Sequence, residues 1–408
     1  MRKAHSKRAV RAIKMPAIVH LSAYANTLTR LIPDLYAGLD VVSRELVGFV
    51  PSVSRDPQTT RGAVGQAVVY AVAPSQTSID IAPAMTIPEP RDQTIGNGNI
   101  TITKSKAVEF GFTGEEQRGL NTGPGYLSVQ ADMFAQGLRT LTNEIENDLA
   151  VEGLLNASRA VGAPSSTPFA SNLGDMAQVR KILDDNGAPP SERSFVGPTS
   201  YGAALRTLQN LTRANEAGTV MTLRDGELLN IHGFSIKESG ASGLYHTAGT
   251  GASATTNAAG YAIGATVITL ASAGTGEIKA GDVIQFAGDA NKYVVVSGDA
   301  DVSGGGTITI AAPGLRRAIP ASAQNITVLA SHEVGLGFSR NALHLAQRLP
   351  ALPQEGDAAI DRLTIVDPRS GLPFEVALYA GYRKIRAEVA AAWGVKAVKR
   401  EHIAALIG

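Results

Sequence analysis

A single stretch, residues 126–157, has the hydrophobic periodicity of one long helix. Its large apolar residues mostly recur three or four positions apart: Leu127, Phe134, Leu138, Leu141, Ile145, Leu149 and Leu155. Polar residues between them predict a solvated opposite face: Asp132, Gln136, Arg139, Asn143, Glu144, Glu146, Asp148 and Glu152. At about 1.5 Å per residue the helix is roughly 48 Å long, several times the usual length in a globular domain. Such a helix needs a sheet of its own chain, or a neighbouring copy, packed along it.

Composition indicates a folded chain with more than one domain. The 408 residues are 44% hydrophobic and 18% charged, and a chain of this length carries two or three domains. No apolar run reaches about 18 residues, and the N-terminus lacks the apolar core of a signal peptide. We therefore expect no membrane partner and a protein made and kept in a cytoplasm. Because cysteine is absent, disulfides, thiolate nucleophiles and cysteine-type zinc sites are excluded.

The first 14 residues form a basic segment. They contain six lysines and arginines and no acid, which leaves a net charge of −5 for the rest of a chain whose total is +1. Such a segment can contact the phosphates of nucleic acid. It can equally be a disordered tail, or a leader upstream of a start at Met15, and the sequence leaves these alternatives open.

The next segments predict an arm followed by an extended loop. Residues 20–48 have the pattern of short helices broken at Pro33 and carry much apolar surface, so we expect them against another part of the fold or a partner subunit. Residues 51–63 look loop-like. Residues 67–72 and 100–112 have strand patterns, and the linker between them is rich in proline and glycine. Two strands joined by a long loop predict a projecting hairpin, which is marginal alone and would be stabilised by a partner that it clasps.

Shorter elements after the long helix predict a compact α/β region. A helix is expected at residues 176–187, with Gly187 as its C-terminal stop. A strand at residues 194–197, a second helix at 199–211 and a second strand at 228–236 follow it.

From about residue 240 the composition shifts to alanine, glycine, threonine and valine. Short strands are predicted between turns rich in glycine and aspartate: 266–270, 282–286, 292–296, 307–310 and 325–329. Regular short strands of this kind make a small barrel or sandwich. We interpret residues 244–330 as an all-β domain inserted into a loop of the α/β region.

The α/β pattern then resumes. Residues 341–348 are predicted to be helical, and residues 361–366 and 372–379 to form a hairpin across a turn that begins at Asp367. Residues 385–398 have the pattern of a further strand. These last strands are the expected sheet beside the long helix.

Histidines and acids show no pattern that predicts a metal site. The pair His332-Glu333 begins like a zinc-protease motif, but Leu336 stands where the second histidine ligand is required. The segment from Asp299 begins like a calcium loop, but Ile310 occupies the position of the bidentate glutamate. A plain hairpin turn between two barrel strands is the favoured interpretation of that segment. We expect no metal and no cofactor.

Catalytic constellations are not predicted either. The sequence has no phosphate-binding loop and no nucleophile elbow, although residues 239–243 superficially suggest the elbow. Asp367 and Glu375 look like turn and strand-surface carboxylates rather than a catalytic pair. Trp393, the only tryptophan, is expected in the core. We therefore expect a protein that is not an enzyme, with no catalytic or cofactor-binding residue.

Several stretches together resemble the major capsid, or coat, proteins of tailed bacteriophages. Residues 119–157, which contain AQGLRTLTNEIENDLA, resemble the spine helix of these proteins. Residues 182–198 and 226–239 look like their axial domain. The inserted region, with KAGDVIQFAG and ITIAAPGL, is similar to the insertion domain of the short-tailed-phage branch. The order of arm, hairpin loop, spine helix and axial domain is that of the Hong Kong 97 capsid fold, and the match spans about residues 20–408.

The resemblance implies an α+β fold of the Hong Kong 97 type with an inserted β-barrel. Its parts would be the N-terminal arm (1–54), the extended hairpin loop (55–115), the peripheral domain with the spine helix (116–168), the axial domain (169–243), the inserted β-barrel domain (244–330) and the return through the axial domain to peripheral-domain strands (331–408).

The resemblance also implies a viral structural protein that assembles with itself. Pentamers and hexamers would close into an icosahedral procapsid around a scaffolding protein, in the bacterial host cytoplasm, and mature into a virion shell that encloses double-stranded DNA. A portal at one vertex and the packaged DNA, bound non-specifically, are further implied partners. The barrel has three candidate roles: folding, contacts between capsomers, or binding of a decoration protein. Some members weld the hairpin loop to a neighbour through a Lys–Asn bond. Because no partner asparagine can be assigned to Lys104 or Lys106, we expect non-covalent closure.

Two other classes of protein compete with this interpretation. A cargo-compartment shell protein built on the same fold would lack the inserted barrel. An adhesin-like surface or secreted β-rich binding protein, or an enzyme with a carbohydrate-binding barrel, would need a signal peptide or a cluster of carboxylates and aromatics. Aromatic residues make up only 5% of the chain.

Overall fold

The computed structural model of the protein describes residues 46–72, 78, 83, 96–120, 126–212, 228, 230–368 and 370–408. These residues form a mixed α+β fold that is rich in strands. The expected helices before residue 46, and most of the expected linker within the hairpin, lie outside the described residues.

The described residues contain five α-helices: α1 (Gly114–Leu120), α2 (Tyr126–Leu155), α3 (Gly174–Asp185), α4 (Thr199–Thr207) and α5 (Gln209–Thr212). The strands before the inserted region are β1 (Ser54–Gly62), β2 (Ala67–Val72), β3 (Gly96–Thr101), β4 (Lys104–Thr113), β5 (Arg159–Gly162), β6 (Arg193–Gly197), β7 (Phe234–Glu238) and β8 (Tyr245–His246). The later strands are β9 (Val267–Leu270), β10 (Val283–Phe286), β11 (Lys292–Ser297), β12 (Gly306–Ile310), β13 (Ile326–Val328), β14 (His332–Ser339), β15 (Leu343–Pro350), β16 (Ala359–Val366), β17 (Pro373–Gly381), β18 (Lys384–Ala397) and β19 (Ile403–Ile407).

The predicted long helix is confirmed as α2, which has 30 residues and a length of about 45 Å. Five side chains of its apolar stripe are buried: Phe134, Leu138, Leu141, Ile145 and Leu149. The opposite face is less solvated than predicted, because Glu146 is only 2% exposed and Asp148 and Glu152 are partly buried. These acids contact protein rather than water, as described below.

The sheet expected beside the long helix is present. Its strand order is β1-β15-β18-β17-β16. Strand β4 also pairs with β18, along the edge opposite β17. Val389 of β18 pairs with Val376 on one side and with Val108 on the other, so β18 is central. Gly137 lets the helix approach this strand, since a Cβ atom there would lie 3.2 Å from Cγ2 of Val389. Trp393 is fully buried between the two, which confirms its predicted place in the core.

A second, larger sheet organises the rest of the chain. Its order is β13-β10-β11-β5-β19-β14-β6-β7, and α3 and α4 cover a separate hydrophobic cluster on it. The predicted stop of α3 is confirmed: Gly187 has a φ of +74°, and its N–H donates to the carbonyl of Asp184 at 3.0 Å. The predicted second helix is divided at Leu208 into α4 and α5.

All five strands predicted in the inserted region are confirmed as β9 to β13. They follow the order β9-β12-β11-β10-β13. Residues 254–257 link the two ends: the N–H of Ile326 donates to Ala254 at 2.8 Å, and that of Ala271 donates to Thr255 at 2.9 Å. This ring of backbone hydrogen bonds surrounds its own hydrophobic cluster. It also continues into the larger sheet, because β11 pairs with β5.

The predicted hairpin is confirmed as an antiparallel pair of β2 and β3, which belongs to neither large sheet. The strand predicted at residues 100–112 is divided at Ile102. This side chain is fully buried, and its backbone N–H donates to Gln66 at 2.9 Å. Beyond the break, β4 pairs with β18 instead of β2.

Three segments were predicted wrongly. Residues 51–63 are not a loop, since β1 pairs in parallel with β15. Residues 341–348 are not helical, because β15 lies between β18 and β1 and is buried on both faces, a tertiary context that outweighs helix propensity. The strand predicted at 228–236 begins only at Phe234, after a turn in which His232 and Gly233 have positive φ.

Candidate assembly surface

The carboxylate of Glu146 holds the first described segment of the chain against the long helix. Its Oε1 accepts the N–H of Gly48 at 2.6 Å and of Phe49 at 2.8 Å, and its Oε2 accepts the N–H of Val50 at 3.0 Å. The hydroxyl of Ser239 donates to the same carboxylate at 2.7 Å. One side chain thereby joins the N-terminal segment, α2 and the chain that follows β7.

The surroundings of Glu146 act on its charge in two opposite ways, through burial and through hydrogen bonds. Burial raises the pKa of the Glu146 carboxyl, while the hydrogen bonds from Phe49, Val50, Ser239 and Gly48 act to lower it. A buried carboxylate is tolerated only where its oxygens are satisfied, as they are here by four donors. The group is therefore an anchor whose loss exposes several unpaired backbone donors.

Two further contacts fix residues 46–53. The Phe49 ring stacks on Phe338 of β14 with 5.9 Å between ring centroids. The Lys237 ammonium donates to the hydroxyl of Ser52 at 2.8 Å. Residues 46–53 are thus attached to the long helix and to the larger sheet.

Other acids of the long helix bind the central strands. Asp148 accepts the indole N–H of Trp393 at 2.8 Å and the Lys104 ammonium at 2.7 Å. Glu152 accepts the backbone N–H of Ala397 at 2.9 Å. These contacts make α2, β4 and β18 one unit, to which the hairpin is attached.

The hairpin of β2 and β3 has few described contacts with that unit. Tyr70 stacks on His344 with 5.9 Å between centroids, and Lys396 donates to the carbonyl of Asn99 at 2.7 Å. Val69, in the middle of β2, is 61% exposed. Val69 is thus an exposed apolar side chain on the hairpin, whereas Ile100 of β3 is buried at its base.

A second exposed region lies at the turn between β17 and β18. Tyr382 at this turn is 88% exposed. Beside it, Phe112, Ile360 and Ile385 line an apolar cleft between the turn and β4. Exposed apolar side chains clustered at a projecting turn are typical of contacts between proteins.

The two segments that begin like metal-binding motifs lie in paired strands or in the turn between them. The Asp299 segment is the turn between the paired strands β11 and β12, with the Asp299 carboxylate accepting the N–H of Asp301 at 2.9 Å. His332 and Glu333 lie in β14. Within the described residues, no group of three or more histidine, aspartate or glutamate side chains is arranged to hold a metal ion.

The side chains that the sequence could suggest as catalytic are Asp367, Glu375 and Ser239. Each of them contacts other residues of the fold. The Asp367 carboxylate accepts the Ser370 hydroxyl at 2.6 Å within the turn, as expected. Glu375 was expected on the strand surface, but it is 3% exposed and pairs with Arg61 at 2.5 Å. The prediction failed because Arg61 of β1 and Arg362 of β16 both pair with the Glu375 carboxylate. Ser239, in the segment that superficially suggests a nucleophile elbow, donates its hydroxyl to the Glu146 carboxylate.

Sequence reasoning did not single out Glu146 or the buried pair His246 and Asp282. A signal existed for Glu146: it follows Thr142 by four positions and precedes Leu149 by three, so all three share one side of the helix. A polar residue on the same side of the helix as buried side chains indicates that it has a buried hydrogen-bonding partner. No local signal marks His246, whose partner is 36 residues away.

Comparisons with known proteins place these features beside solved phage structures. No family model and no curated protein matches the sequence. A chain from Mycobacterium phage Che8 is similar over 90% of this chain and 92% of its own length, with 14% identity and a TM-score of 0.47. The capsid structure of cyanophage P-SCSP1u covers 90% and 89%, with 12% identity and a TM-score of 0.48. The mature capsid of bacteriophage PhiM1 covers 88% and 86%, with 11% identity and a TM-score of 0.43.

Two of these structures are of phage capsids. None of the helices among the described residues is both long and apolar enough to cross a membrane.

Proposed function

We propose that this protein is a phage major capsid protein, a subunit that assembles with copies of itself into an icosahedral shell and resides in the virion. The observation that carries the proposal is the hairpin of β2 and β3. It joins neither large sheet, has few described contacts with the body and exposes Val69. Because an isolated two-stranded ribbon is marginal in water, a hairpin of this kind is stabilised when it lies on another subunit.

The rest of the geometry supports the same role. Glu146, Asp148 and Glu152 fix the long helix to the N-terminal segment and to β18, so the body is rigid enough to transmit contacts through a shell. Contacts between a projecting element on one copy and the body of the next are heterologous, and such contacts generate closed rings. The domain division expected from the sequence, including the ring of β9 to β13 as an inserted barrel, is part of this proposal.

The finer steps follow the sequence resemblance. We assign assembly to pentamers and hexamers with a scaffolding protein, a portal at one vertex, maturation, and enclosure of double-stranded DNA. The barrel is a candidate binding site for a decoration protein or for a neighbouring capsomer. The alternatives, an adhesin-like β-rich binding protein and a cargo-compartment shell, are not favoured by any observation on the described residues.

Electron microscopy of the purified full-length protein tests the proposal. The protein is imaged alone and with a candidate scaffold encoded near it. Polyhedral shells with scaffold, or aberrant shells and tubes without it, are the expected result. A monomer or dimer that never assembles under either condition would contradict the capsid function and favour a binding protein.

A further inference from the structure

The chain enters and leaves the inserted region through one short β-pair. Strand β8 leads in, β14 leads out, and they pair with His246 opposite His332 and Tyr245 opposite Glu333. We call these four residues the neck. Any movement of the inserted region relative to the body has to deform the neck.

One histidine of the neck is firmly held by a buried acid. Nε2 of His246 lies 2.8 Å from Oδ1 of Asp282, which is fully buried. The same carboxylate accepts the backbone N–H of Lys279 at 2.7 Å and of Gly249 at 2.9 Å. Gly281 closes the pocket, since a Cβ atom there would lie 2.8 Å from Cε1 of His246. His246 therefore has no space to move while Asp282 stays in place.

The other histidine is buried with one nitrogen unpaired. Nδ1 of His332 lies 2.6 Å from the carbonyl oxygen of Ala330, so Nδ1 carries the proton and Nε2 is the free acceptor. Among the described residues this Nε2 has no hydrogen-bond partner, and His332 is only 2% exposed. Its ring lies 5.8 Å from that of His246. A proton added to this unpartnered nitrogen would have no hydrogen-bond acceptor in the described part of the folded protein. Protonation of His332 is therefore unfavourable while the neck is closed.

Charged groups surround His332 from several elements. His246 of β8 and Lys292 of β11 disfavour a positive charge on it, and Asp282 favours one. Burial lowers the pKa of His332, and the hydrogen bond to Ala330 opposes this shift. The carboxylate of Glu333 is engaged by the hydroxyl of Ser200 at 2.5 Å. The folded neck thus disfavours the protonated form of His332.

We propose that the neck is an acid-sensitive hinge, in which His332 takes up a proton only when the pairing of β8 with β14 opens. Acidification then favours the open neck, while the pairing of β11 with β5 still joins the inserted region to the body. The device needs no partner, and it stands independently of the proposed function.

Hydrogen exchange of the full-length protein between pH 7.5 and 5.5 tests the hinge, with rates corrected for the intrinsic pH dependence of exchange. Because one proton is linked to opening, the opening equilibrium of the neck amides is expected to rise by up to about tenfold for each pH unit below about 6.5. His332→Gln cannot take up the proton, so its neck amides should show no such rise. Amides of β12, outside the neck, serve as internal reference.

His344→Gln is the matched control. His344 is a half-buried histidine whose pKa is also lowered by burial, but it lies in β15, away from the neck. This variant should leave the pH response of the neck unchanged. If H332Q does not fold, H332N and the wild-type response still decide the matter. A wild-type neck with no pH response, or one that responds equally in H332Q, overturns the proposal.

Discussion

The carboxylate of Glu146 lies 2.6 Å from the backbone nitrogen of Gly48, a residue 98 positions earlier in the chain. This contact fastens residues 48–50 to the middle of the long helix. It is made by a charged group on a helix face that the hydrophobic pattern assigned to solvent. Removing a buried, hydrogen-bonded side chain costs much more folding stability than removing a side chain that faces solvent.

Replacing Glu146 with alanine is expected to destabilise the unassembled subunit by about 3 kcal/mol or more, because three buried backbone N–H groups lose their acceptor. Urea unfolding followed by circular dichroism measures this. Glu144→Ala is the control: Glu144 lies two residues away, is partly exposed and pairs with Lys106 at 2.6 Å, so its loss should cost less than about 1 kcal/mol. Equal losses in both variants would contradict the anchoring role.

Gly394 marks a close crossing between β18 and the base of the hairpin. A Cβ atom there would lie 2.0 Å from the carbonyl oxygen of Thr101 and 3.1 Å from Cα of Ile102. Gly394→Ala should therefore cost about 2 kcal/mol or more, since backbone has to move. Gly114→Ala, where a Cβ atom meets nothing within 4 Å, should change stability by less than about 0.5 kcal/mol in the same denaturation experiment.

Acid should destabilise the subunit through its buried histidines. Burial lowers the pKa of His332, His344 and His402. The unfolded chain then binds protons near pH 6.5 that the folded chain does not, so stability falls as the pH drops below 6.5 and levels off below the folded pKa values. Each group contributes at most about 1.4 kcal/mol per pH unit.

His402→Gln isolates one of these contributions. The variant should lose less stability than the wild type between pH 7 and 5.5, as measured by urea midpoints. Glu146, with its raised pKa, acts in the opposite direction, but it is common to both proteins and cancels in the comparison. Identical pH profiles would show that His402 does not titrate differently on unfolding.

Substitutions at Val69 can distinguish an effect on assembly from an effect on folding. Because its side chain is 61% exposed, Val69→Asp should leave the stability of the subunit within about 0.5 kcal/mol of the wild type. If the hairpin lies on a neighbouring copy, the charge should abolish or greatly slow shell formation, as seen by sedimentation and electron microscopy. Val69→Thr, which keeps the shape, should assemble. Normal assembly of the aspartate variant would remove the hairpin from the proposed contacts.

Local periodicity was sufficient where one element carries its own pattern. The long helix and the strands β9 to β13 follow directly from spacing and turn residues. Gly187 likewise ends α3 as its φ of +74° requires. These features depend on neighbours in sequence, which a single chain displays.

Periodicity failed where distant segments decide the outcome. Residues 341–348 contain good helix formers, yet Leu345 pairs with Val395 and Arg55 in neighbouring strands. The acid at position 146 is stabilised by donors nearly a hundred residues away, and Asp282 accepts the N–H of Gly249, 33 residues away, as well as that of the nearby Lys279. A local pattern can indicate that Glu146 is buried, but the distant donors that satisfy Glu146 and Asp282 are identified only in the three-dimensional structure.

The positions of β18 and β19 in the two sheets have a consequence for the timing of synthesis. β18 lies between β4 and β17, and β19 lies between β14 and β5, so each large sheet lacks an inner strand until residues 384–407 have been made. A nascent chain that has not reached these residues holds α2 without the sheet that covers it. Folding of the described body is therefore expected to be completed only after β18 and β19 have been made, because the apolar face of α2 is not covered before then.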